Sequence, residues 1–267
     1  RQILESTRPT TLSELVRICG LSHGTDVWLN NAQTLIERGT ASLTEVICNR
    51  DDIMTYLIQR SMDKKQAFKI MENVRKGRGL DQNMSESMRG AGVPEWYIES
   101  CRKISYMFPK AHAAAYVNNS FRVAYFKVFH PLAFYASFFS IRAEDFEAET
   151  VLKGYDAIRA RIKEIEKAGN EASQKDKKLL PILEVALEMC ARGFHFWPVD
   201  IYKSEASRYL IKGEGLLLPF SALPNIGKAA AEGAVASRGD QPFISVEDFQ
   251  ARTRLNKTSI EILRQHN

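Results

Sequence analysis

A nine-residue run that begins at Phe108 contains the side chains best suited to binding a flat, phosphate-bearing ligand. Its sequence is Phe-Pro-Lys-Ala-His-Ala-Ala-Ala-Tyr. If a helix begins after Pro109, His112 and Tyr116 share one face because they are four residues apart. The alanines leave room for a nucleobase to stack on an aromatic ring, and Lys110 could contact a phosphate. The run therefore predicts a nucleotide pocket; a packed alanine-rich helix with a hydrogen-bonded histidine is the alternative.

A second candidate is the loop that follows Cys19. Its sequence, Gly-Leu-Ser-His-Gly-Thr-Asp, is rich in small residues and hydroxyls that could expose backbone N–H groups to an anion. It lacks the G-x-x-x-x-G-K-[ST] spacing of a P-loop. Ser22 and His23 are therefore either pocket residues or ordinary turn and cap residues.

A third candidate is the segment 223–228, Leu-Pro-Asn-Ile-Gly-Lys, which precedes an alanine-rich run. A tight turn before a helix N-terminus presents backbone N–H groups where phosphate binds favourably, as in a helix-hairpin-helix. Such turns commonly carry glycine where this chain has Asn225, and asparagine tolerates left-handed geometry better than most residues. The candidate DNA contacts are Asn225, Ile226, Gly227 and Lys228; the alternative is an ordinary helix–helix turn.

Paired carboxylates occur in the sequence, but no set of them is typical of catalysis. Asp51 and Asp52 are adjacent, as are Glu144 and Asp145, and adjacent side chains diverge on a helix. They are interpreted as solvated or capping residues. Phosphoryl transfer needs bound metal ions to stabilise the developing charge. The sequence therefore predicts neither catalytic nor metal-binding residues in this chain.

Composition predicts a folded cytoplasmic protein. The 267 residues are 45% hydrophobic, which is enough for one large domain and a smaller one. Apolar runs are too short to cross a membrane, and the N-terminus has no signal-peptide pattern.

The 4 cysteines lie far apart, which favours reduced thiols over a zinc site or disulfides. The chain starts at Arg1 without an initiator methionine, so we expect it to derive from a longer protein.

The net charge of +5 is unevenly distributed. Residues 50–130 contain 14 Lys and Arg against 8 Asp and Glu. Such an excess fits a surface that meets phosphates, because cation contacts release counterions from nucleic acid. A solvated helix face would have the same composition.

Helix signals dominate the first 190 residues. Thr11 and Glu14 have capping-box spacing, Gly20 is expected to end that helix, and Ser42 and Glu45 repeat the capping signal. Pro94 begins a further helix that ends before Pro109. Additional helices are predicted over 51–59, 64–76, 111–129, 132–141, 151–167 and 179–191, and the pair 111–129 and 132–141 is expected to be buried.

The pattern changes after Gly193. Residues 194–202 and 208–218 contain short extended stretches, followed by short helices around Ala229, 246–250 and 259–264. The predicted fold class is mainly α, with a helical domain over 1–192 and a small α+β module over 193–267 that contains the hairpin-like turn.

Taken in order, these segments closely resemble the C-terminal part of the PolC-type bacterial DNA polymerase III alpha subunit. The similarity covers nearly the whole chain. It is carried by the stretches 21–29, 31–33, 50–54, 68–72, 92–98, 108–117, 124–128 and 183–190.

The resemblance implies that 1–192 is a fingers domain that binds incoming dNTP and template, and that 193–267 binds duplex DNA. The implied activity is that of a DNA-directed DNA polymerase, a nucleotidyltransferase of chromosomal replication. Its Mg²⁺ ions would be held by aspartates of a palm domain outside this chain. The implied partners are primer–template DNA, dNTP and a sliding clamp, with no membrane. The implied nucleotide-pocket residues are Ser22, His23, Phe108, Lys110, His112 and Tyr116, with Arg50 and Arg122 as further phosphate candidates.

Three departures from the family pattern stand out. Residues 118–121 are Asn-Asn-Ser-Phe where small or apolar residues are usual, and a polar run in a buried helix would cost stability unless its groups are paired. Asn225 replaces the hairpin glycine, and the clamp-binding tail of glutamine, aliphatic and phenylalanine residues is missing. Two alternatives stay open: a DnaE-type replicase fragment, and a helix-hairpin-helix protein that binds nucleic acid without polymerase activity.

Overall fold

The computed structural model describes residues 2–143, 146–239 and 241–266, which form helices and one small sheet. They fall into two compact units, Arg1–Arg122 and Val123–Asn267. The predicted mainly α fold class is confirmed. Glu144 and Asp145, one of the predicted carboxylate pairs, lie outside the described residues.

The first unit consists of short helices around an apolar core. Ile53 and Leu57 from one helix pack with Ile70 from the next, and Tyr97 and Ile98 close the core from a third. The helices are α1 (Gln2–Thr7), α2 (Leu12–His23), α3 (Gln33–Glu37), α4 (Arg50–Gln59), α5 (Lys64–Arg75), α6 (Gln82–Gly90), α7 (Glu95–Lys103) and the first part of α8 (Lys110–Phe129).

Helix α2 begins as predicted but ends later. The Thr11 side chain accepts a hydrogen bond from the Glu14 N–H, and the Glu14 carboxylate accepts from the Thr11 N–H, which completes the capping box. Gly20 does not end the helix, so that prediction is wrong. A Cβ at Gly20 would lie 2.5 Å from the carbonyl oxygen of Cys48. This glycine therefore allows close packing rather than a left-handed turn.

The second unit places a three-stranded sheet among helices. Strand β3 (Gly215–Leu217) is central, parallel to β1 (His195–Trp197) and antiparallel to β2 (Leu210–Lys212). Tyr135 and Phe139 from α9 enter its core. The helices after α8 are α9 (Pro131–Arg142), α10 (Ala148–Leu152), α11 (Tyr155–Ala168), α12 (Gln174–Ala191), α13 (Lys228–Ala236), α14 (Val246–Thr253) and α15 (Lys257–His266).

Two other local predictions are corrected. The helix predicted over 151–167 is interrupted at Gly154, which adopts φ 86°, so α10 and α11 are separate. Ser42 does bond to the Glu45 carboxylate, with its N–H at 2.8 Å, but the segment is a turn and no helix continues from it. The apolar pattern over 151–167 and the capping spacing at Ser42 are both real local signals. Neither is sufficient for a continuous helix, because a helix needs consecutive hydrogen-bonded turns.

The burial predicted for 111–129 is wrong. Ala113 is the buried residue of α8, whereas Tyr116 is 61% exposed and Phe129 64% exposed. The polar run 118–120 is therefore solvent-exposed and carries no desolvation cost in this chain. Helix α9 is partly buried, through Tyr135 and Phe139.

The two compact units and the predicted division at 192/193 are different partitions of the chain. Residues 123–192 belong to the same unit as 193–267. The functional division into a fingers domain and a duplex-binding module stays a prediction. No helix within the described ranges is long and apolar enough to cross a membrane.

Candidate nucleic-acid interface

Four aromatic or imidazole rings meet where the end of α2 lies beside the start of α8. The Phe108 ring centroid lies 5.1 Å from that of His23, 6.1 Å from His112 and 6.3 Å from Tyr116. We call His23, Phe108, His112 and Tyr116 the aromatic cluster. Phe108 is half-buried, whereas the other three side chains are exposed and can offer ring faces to a ligand.

The cluster rests on a small apolar contact between α2 and α8. Val16 and Cys19 from α2 pack with Ala113 from α8, and Phe108 lies against them. Ala113 is one residue past His112, so its burial turns His112 and Tyr116 toward the edge of this contact. The shared face predicted for His112 and Tyr116 is therefore present.

Helix α4 fixes the start of α8. The Asp51 carboxylate accepts a hydrogen bond from the Lys110 N–H at 2.8 Å, and the Arg50 N–H donates to the Phe108 carbonyl at 3.3 Å. Asp51 thus caps the first turn of α8 from a different helix, because the first N–H groups of a helix have no partner within it. Arg50 and Lys110 are consequently neighbours.

Asp52, the residue after Asp51, adds further contacts at the start of α4 and α8. We call Arg17, Asp51 and Asp52 the supporting frame. The Asp52 carboxylate accepts from the N–H of Asn49 at 3.0 Å and lies 3.7 Å from Arg17 and 3.5 Å from the Lys110 ammonium. Arg17 also donates to the carbonyls of Leu43 and Val46, at 2.7 and 2.6 Å. Both carboxylates, interpreted from the sequence as solvated or capping residues, therefore do cap helices, and Asp52 additionally pairs with the partly buried Arg17.

The supporting frame borders a small polar cavity of about 210 Å³, which is lined by Arg17, Asp52, Tyr97 and Lys110 among others. The Tyr97 hydroxyl is buried and has no hydrogen-bond partner among the described residues. Burial raises the pKa of Tyr97 well above its ordinary value. A neutral phenol therefore lines this cavity together with Arg17, Asp52 and Lys110.

The remaining predicted pocket residues are less closely placed. Ser22 is exposed in the last turn of α2 and donates to the Cys19 carbonyl at 3.0 Å. Arg50 is partly exposed and its Nε lies 3.9 Å from Asp51. Arg122 follows Tyr116 by six residues, so it projects about 120° away around the helix. The structure brings Ser22 and Arg50 to the neighbourhood of the cluster but leaves Arg122 on another face.

The predicted phosphate cradle after Cys19 is not an open loop. Its first residues are helical, and the Thr25 N–H donates to the Tyr106 carbonyl at 2.9 Å while the Gly24 N–H donates to Gly20 at 3.0 Å. Those N–H groups are already satisfied. The contribution of this segment to the candidate site is therefore made by side chains.

Sequence reasoning missed Arg17 and did not indicate that Asp51 caps a different helix, α8, or that Asp52 pairs with Arg17. The Asn-x-x-Asp spacing from Asn49 to Asp52 is a capping signal that could have indicated the start of α4. Nothing local indicates Arg17, because its partners are carbonyls far along the chain.

The hairpin residues have the geometry that the sequence predicted. Asn225 adopts φ 61°, in the left-handed region, and Gly227 is the N-cap of α13, whose first turn has no side-chain cap among the described residues. Ile226 is buried and anchors the turn, so only its backbone can face a ligand. Lys228 is 77% exposed, 4.0 Å from Glu232. The turn therefore offers N–H groups at a helix start beside the exposed ammonium of Lys228.

The described residues do not fit a magnesium site. No group of three or more His, Cys, Asp or Glu among them could hold a metal ion, and Asp51 and Asp52 are occupied by N–H groups and cations. The cysteines Cys19, Cys48 and Cys101 are buried, and burial raises the pKa of the Cys48 thiol to about 12.

Two family models match separate parts of the chain. Bacterial DNA polymerase III alpha subunit finger domain matches residues 1–92, and the helix-hairpin-helix motif matches residues 193–267. These matches relate one end of the chain to the finger domain of the bacterial DNA polymerase III alpha subunit and the other end to a helix-hairpin-helix motif.

Similarity to individual proteins extends over the whole chain. The chain is 59% identical to DNA polymerase III PolC-type of Caldanaerobacter subterraneus over 100% of its length, 54% identical to that of Listeria innocua over 98%, and 53% identical to that of Bacillus subtilis over 100%. It covers 19%, 18% and 18% of these relatives, about a fifth of their length. The chain belongs to the PolC-type DNA polymerase III family.

Proposed function

We propose that this chain provides the incoming-nucleotide and duplex-binding parts of a DNA-directed DNA polymerase that acts in chromosomal replication. The observation that carries the proposal is the similarity to PolC-type polymerases over the whole chain, with finger and helix-hairpin-helix segments at its two ends. The DnaE-type and binding-only alternatives are not favoured, because the relatives named above are all PolC-type.

In this proposal the aromatic cluster receives the incoming nucleotide. The exposed rings of His112 and Tyr116 stack on a base, which tolerates any of the four bases. Lys110 is half-exposed and lies 3.5 Å from Asp52, and it can exchange that ion pair for a phosphate oxygen because Asp52 keeps Arg17 as a partner at 3.7 Å. Ser22, His23 and Arg50 border the same place, and Arg122 is a weaker candidate because of its different face.

The hairpin contacts the backbone of the primer–template duplex. The N–H groups at the start of α13 and the ammonium of Lys228 suit a phosphate, which carries no sequence information. This division assigns nucleotide selection to 1–192 and duplex positioning to 193–267.

The other parts of the reaction belong to the longer protein. Magnesium ions and the carboxylates that hold them are assigned to residues outside this chain, as is contact with a sliding clamp. We assign the protein to the cytoplasm, in keeping with a role in chromosomal replication.

The experiment measures binding of a fluorescent primer–template by the longer protein with magnesium, while salt and matched or mismatched triphosphate are varied. We expect the matched triphosphate to tighten binding in the parent protein. Lys110→Ala should weaken the triphosphate response by about 1.5 kcal/mol, roughly tenfold, because it removes a charged contact. The control is Lys65→Ala, an exposed lysine on α5.

A second variant tests the duplex end. Lys228→Ala should lower the slope of log affinity against log salt by about 0.9, since one phosphate contact is lost, without changing the triphosphate response. Duplex binding that ignores triphosphate in the parent protein would contradict the nucleotide-binding assignment. An unchanged salt slope for Lys228→Ala would contradict the hairpin assignment.

A further inference from the structure

An open apolar groove runs along α9 in the second unit. It is lined by Val123 and Phe126 from α8, Phe134, Phe138 and Ile141 from α9, and Ile182 from α12, and it has a volume of about 820 Å³. Ile141 is 71% exposed and Phe126 is 53% exposed. We call this surface the α9 groove. It is distinct from the aromatic cluster and from the hairpin.

Helix α9 has two apolar faces: one enters the core, and the other, which includes Phe134 and Phe138, is only partly buried against it. Tyr135 and Phe139 are four residues apart and enter the core of the second unit. Phe134, Phe138 and Ile141 follow the same helical spacing on a different face, the one that lines the groove. A surface helix normally exposes polar residues on the face away from its core, so a second apolar face on α9 indicates contact with another element.

The charges at the groove indicate the chemistry of what covers it. Arg142 and Lys178 both line it, and neither makes an ion pair with any described residue. An apolar segment flanked by carboxylates would complement such a rim. A second copy of this chain related by a two-fold axis would instead bring the same cationic rim to both sides of the interface, with no carboxylates among the groove-lining residues to pair with it.

The length of the relatives supplies a source for that segment. The chain covers 19% of the Caldanaerobacter subterraneus protein, so about four fifths of a protein of that length lies outside it. Val123, Phe126 and Ile141 are exposed apolar side chains grouped at this groove, and such grouping is typical of an interaction site. We propose that the α9 groove is the docking site for an apolar, acid-flanked segment from the remaining part of the same longer polypeptide.

The first test compares matched aspartate substitutions in the longer protein. Ile141→Asp places a charge in the groove, whereas Ile244→Asp places one at an apolar residue that is 88% exposed and outside it. We expect Ile141→Asp to lower the Tm by several degrees and Ile244→Asp to leave it unchanged, because only the first charge would be buried. Equal Tm values for the two variants would overturn the proposal.

The second test identifies the occupant. A zero-length carbodiimide reaction joins the Lys178 ammonium to a neighbouring carboxylate as an amide, with loss of water, and peptide mass spectrometry locates the bond. We expect an intramolecular amide bond from Lys178 to an Asp or Glu outside these 267 residues. The yield of this cross-link should fall in Ile141→Asp. Bonds that form only between two copies, with dimers in light scattering, would overturn the proposal, as would bonds that stay within this chain.

Discussion

The aromatic cluster and the hairpin 223–228 present their binding groups in different ways. In the cluster the groups are side chains from two helices, and Phe108 alone is half-buried. In the hairpin the groups are backbone N–H atoms, Ile226 is buried as an anchor, and only Lys228 extends outward. The aromatic cluster therefore depends on helix packing, which brings its side chains together. The hairpin depends on the path of the main chain.

The contrast follows from the ligands that the two regions are proposed to bind. A base and its phosphates present a ring and several charges, which call for stacking and cation contacts from separate elements. A DNA backbone presents a repeated phosphate, for which a helix start is sufficient. Substitutions should therefore act on the cluster through its supporting frame and on the hairpin through backbone conformation.

The largest effect is expected at Gly20, behind the cluster. Gly20→Ala would place a Cβ 2.5 Å from the Cys48 carbonyl, so α2 must shift away from the segment before α4. We expect a loss of about 3 kcal/mol in the free energy of unfolding, measured by urea denaturation, as for an overpacked core. The triphosphate response should fall as His23 moves, while the salt-dependent duplex binding stays.

Gly90→Ala is the matched control for that change. Gly90 ends α6 and has nothing within 4 Å of an added Cβ. It should be neutral or stabilise by about 0.5 to 1 kcal/mol, because alanine restricts the unfolded chain. Equal losses at Gly20 and Gly90 would show that the close contact behind the cluster is unimportant.

The next effect is expected at Asp51. Asp51→Ala removes the cap of α8 and should cost about 1 kcal/mol of unfolding free energy, the usual value for a lost N-cap. The affinity for matched triphosphate should fall with it, since Lys110 loses its fixed position. Asp51→Asn keeps an oxygen that can accept from the Lys110 N–H and should restore most of both losses; if it behaves like alanine, capping is not the role of Asp51.

A comparable but separate effect is expected in the hairpin. Asn225→Ala should cost about 1 kcal/mol because alanine is less tolerant of the left-handed φ of 61°, while Asn225→Gly should be neutral or slightly stabilising. Duplex affinity measured by anisotropy should follow the same order, and the triphosphate response should not change. A weakened response in Asn225→Ala would mean that the two regions are coupled.

The smallest effect is expected at Glu72, on α5. Hydrogen bonds from Arg75 and Lys76 lower the pKa of Glu72 from 4.5 to about 2. A carboxylate whose pKa is lower in the folded chain contributes stability that is complete above its ordinary pKa and is lost as the pH falls toward the folded value. Glu72→Gln should therefore cost about 0.5 kcal/mol near neutral pH, and the difference should vanish between pH 4.5 and about 2. A difference that persists below pH 2 would exclude the ion pair as its cause.

Much of the local structure could be predicted because it depends on neighbouring residues. The capping box at Thr11, the stripe of Tyr97, Ile98 and Cys101 on α7, and the left-handed Asn225 all follow from hydrogen bonds or spacing within a few residues. Other failures, such as the end of α2 at His23 rather than at Gly20, involve a residue that packs against a distant segment, here Cys48.

The exposure of α8 shows the limit of periodicity. Its aromatic and aliphatic residues are consistent with a buried helix, but burial requires a covering surface, and the described residues cover it only at Ala113. The sequence pattern indicates which faces are apolar; it does not indicate whether the covering element belongs to this chain.

The sequence by itself determined the helix-rich fold class, the hairpin turn and membership of the PolC-type family, because these rest on short-range spacing and on long runs of similar residues. Only the tertiary structure decided that His23 lies beside Phe108 and that Asp51 caps α8. Those contacts join residues far apart in the chain, and their formation depends on the packing of whole helices rather than on any local preference.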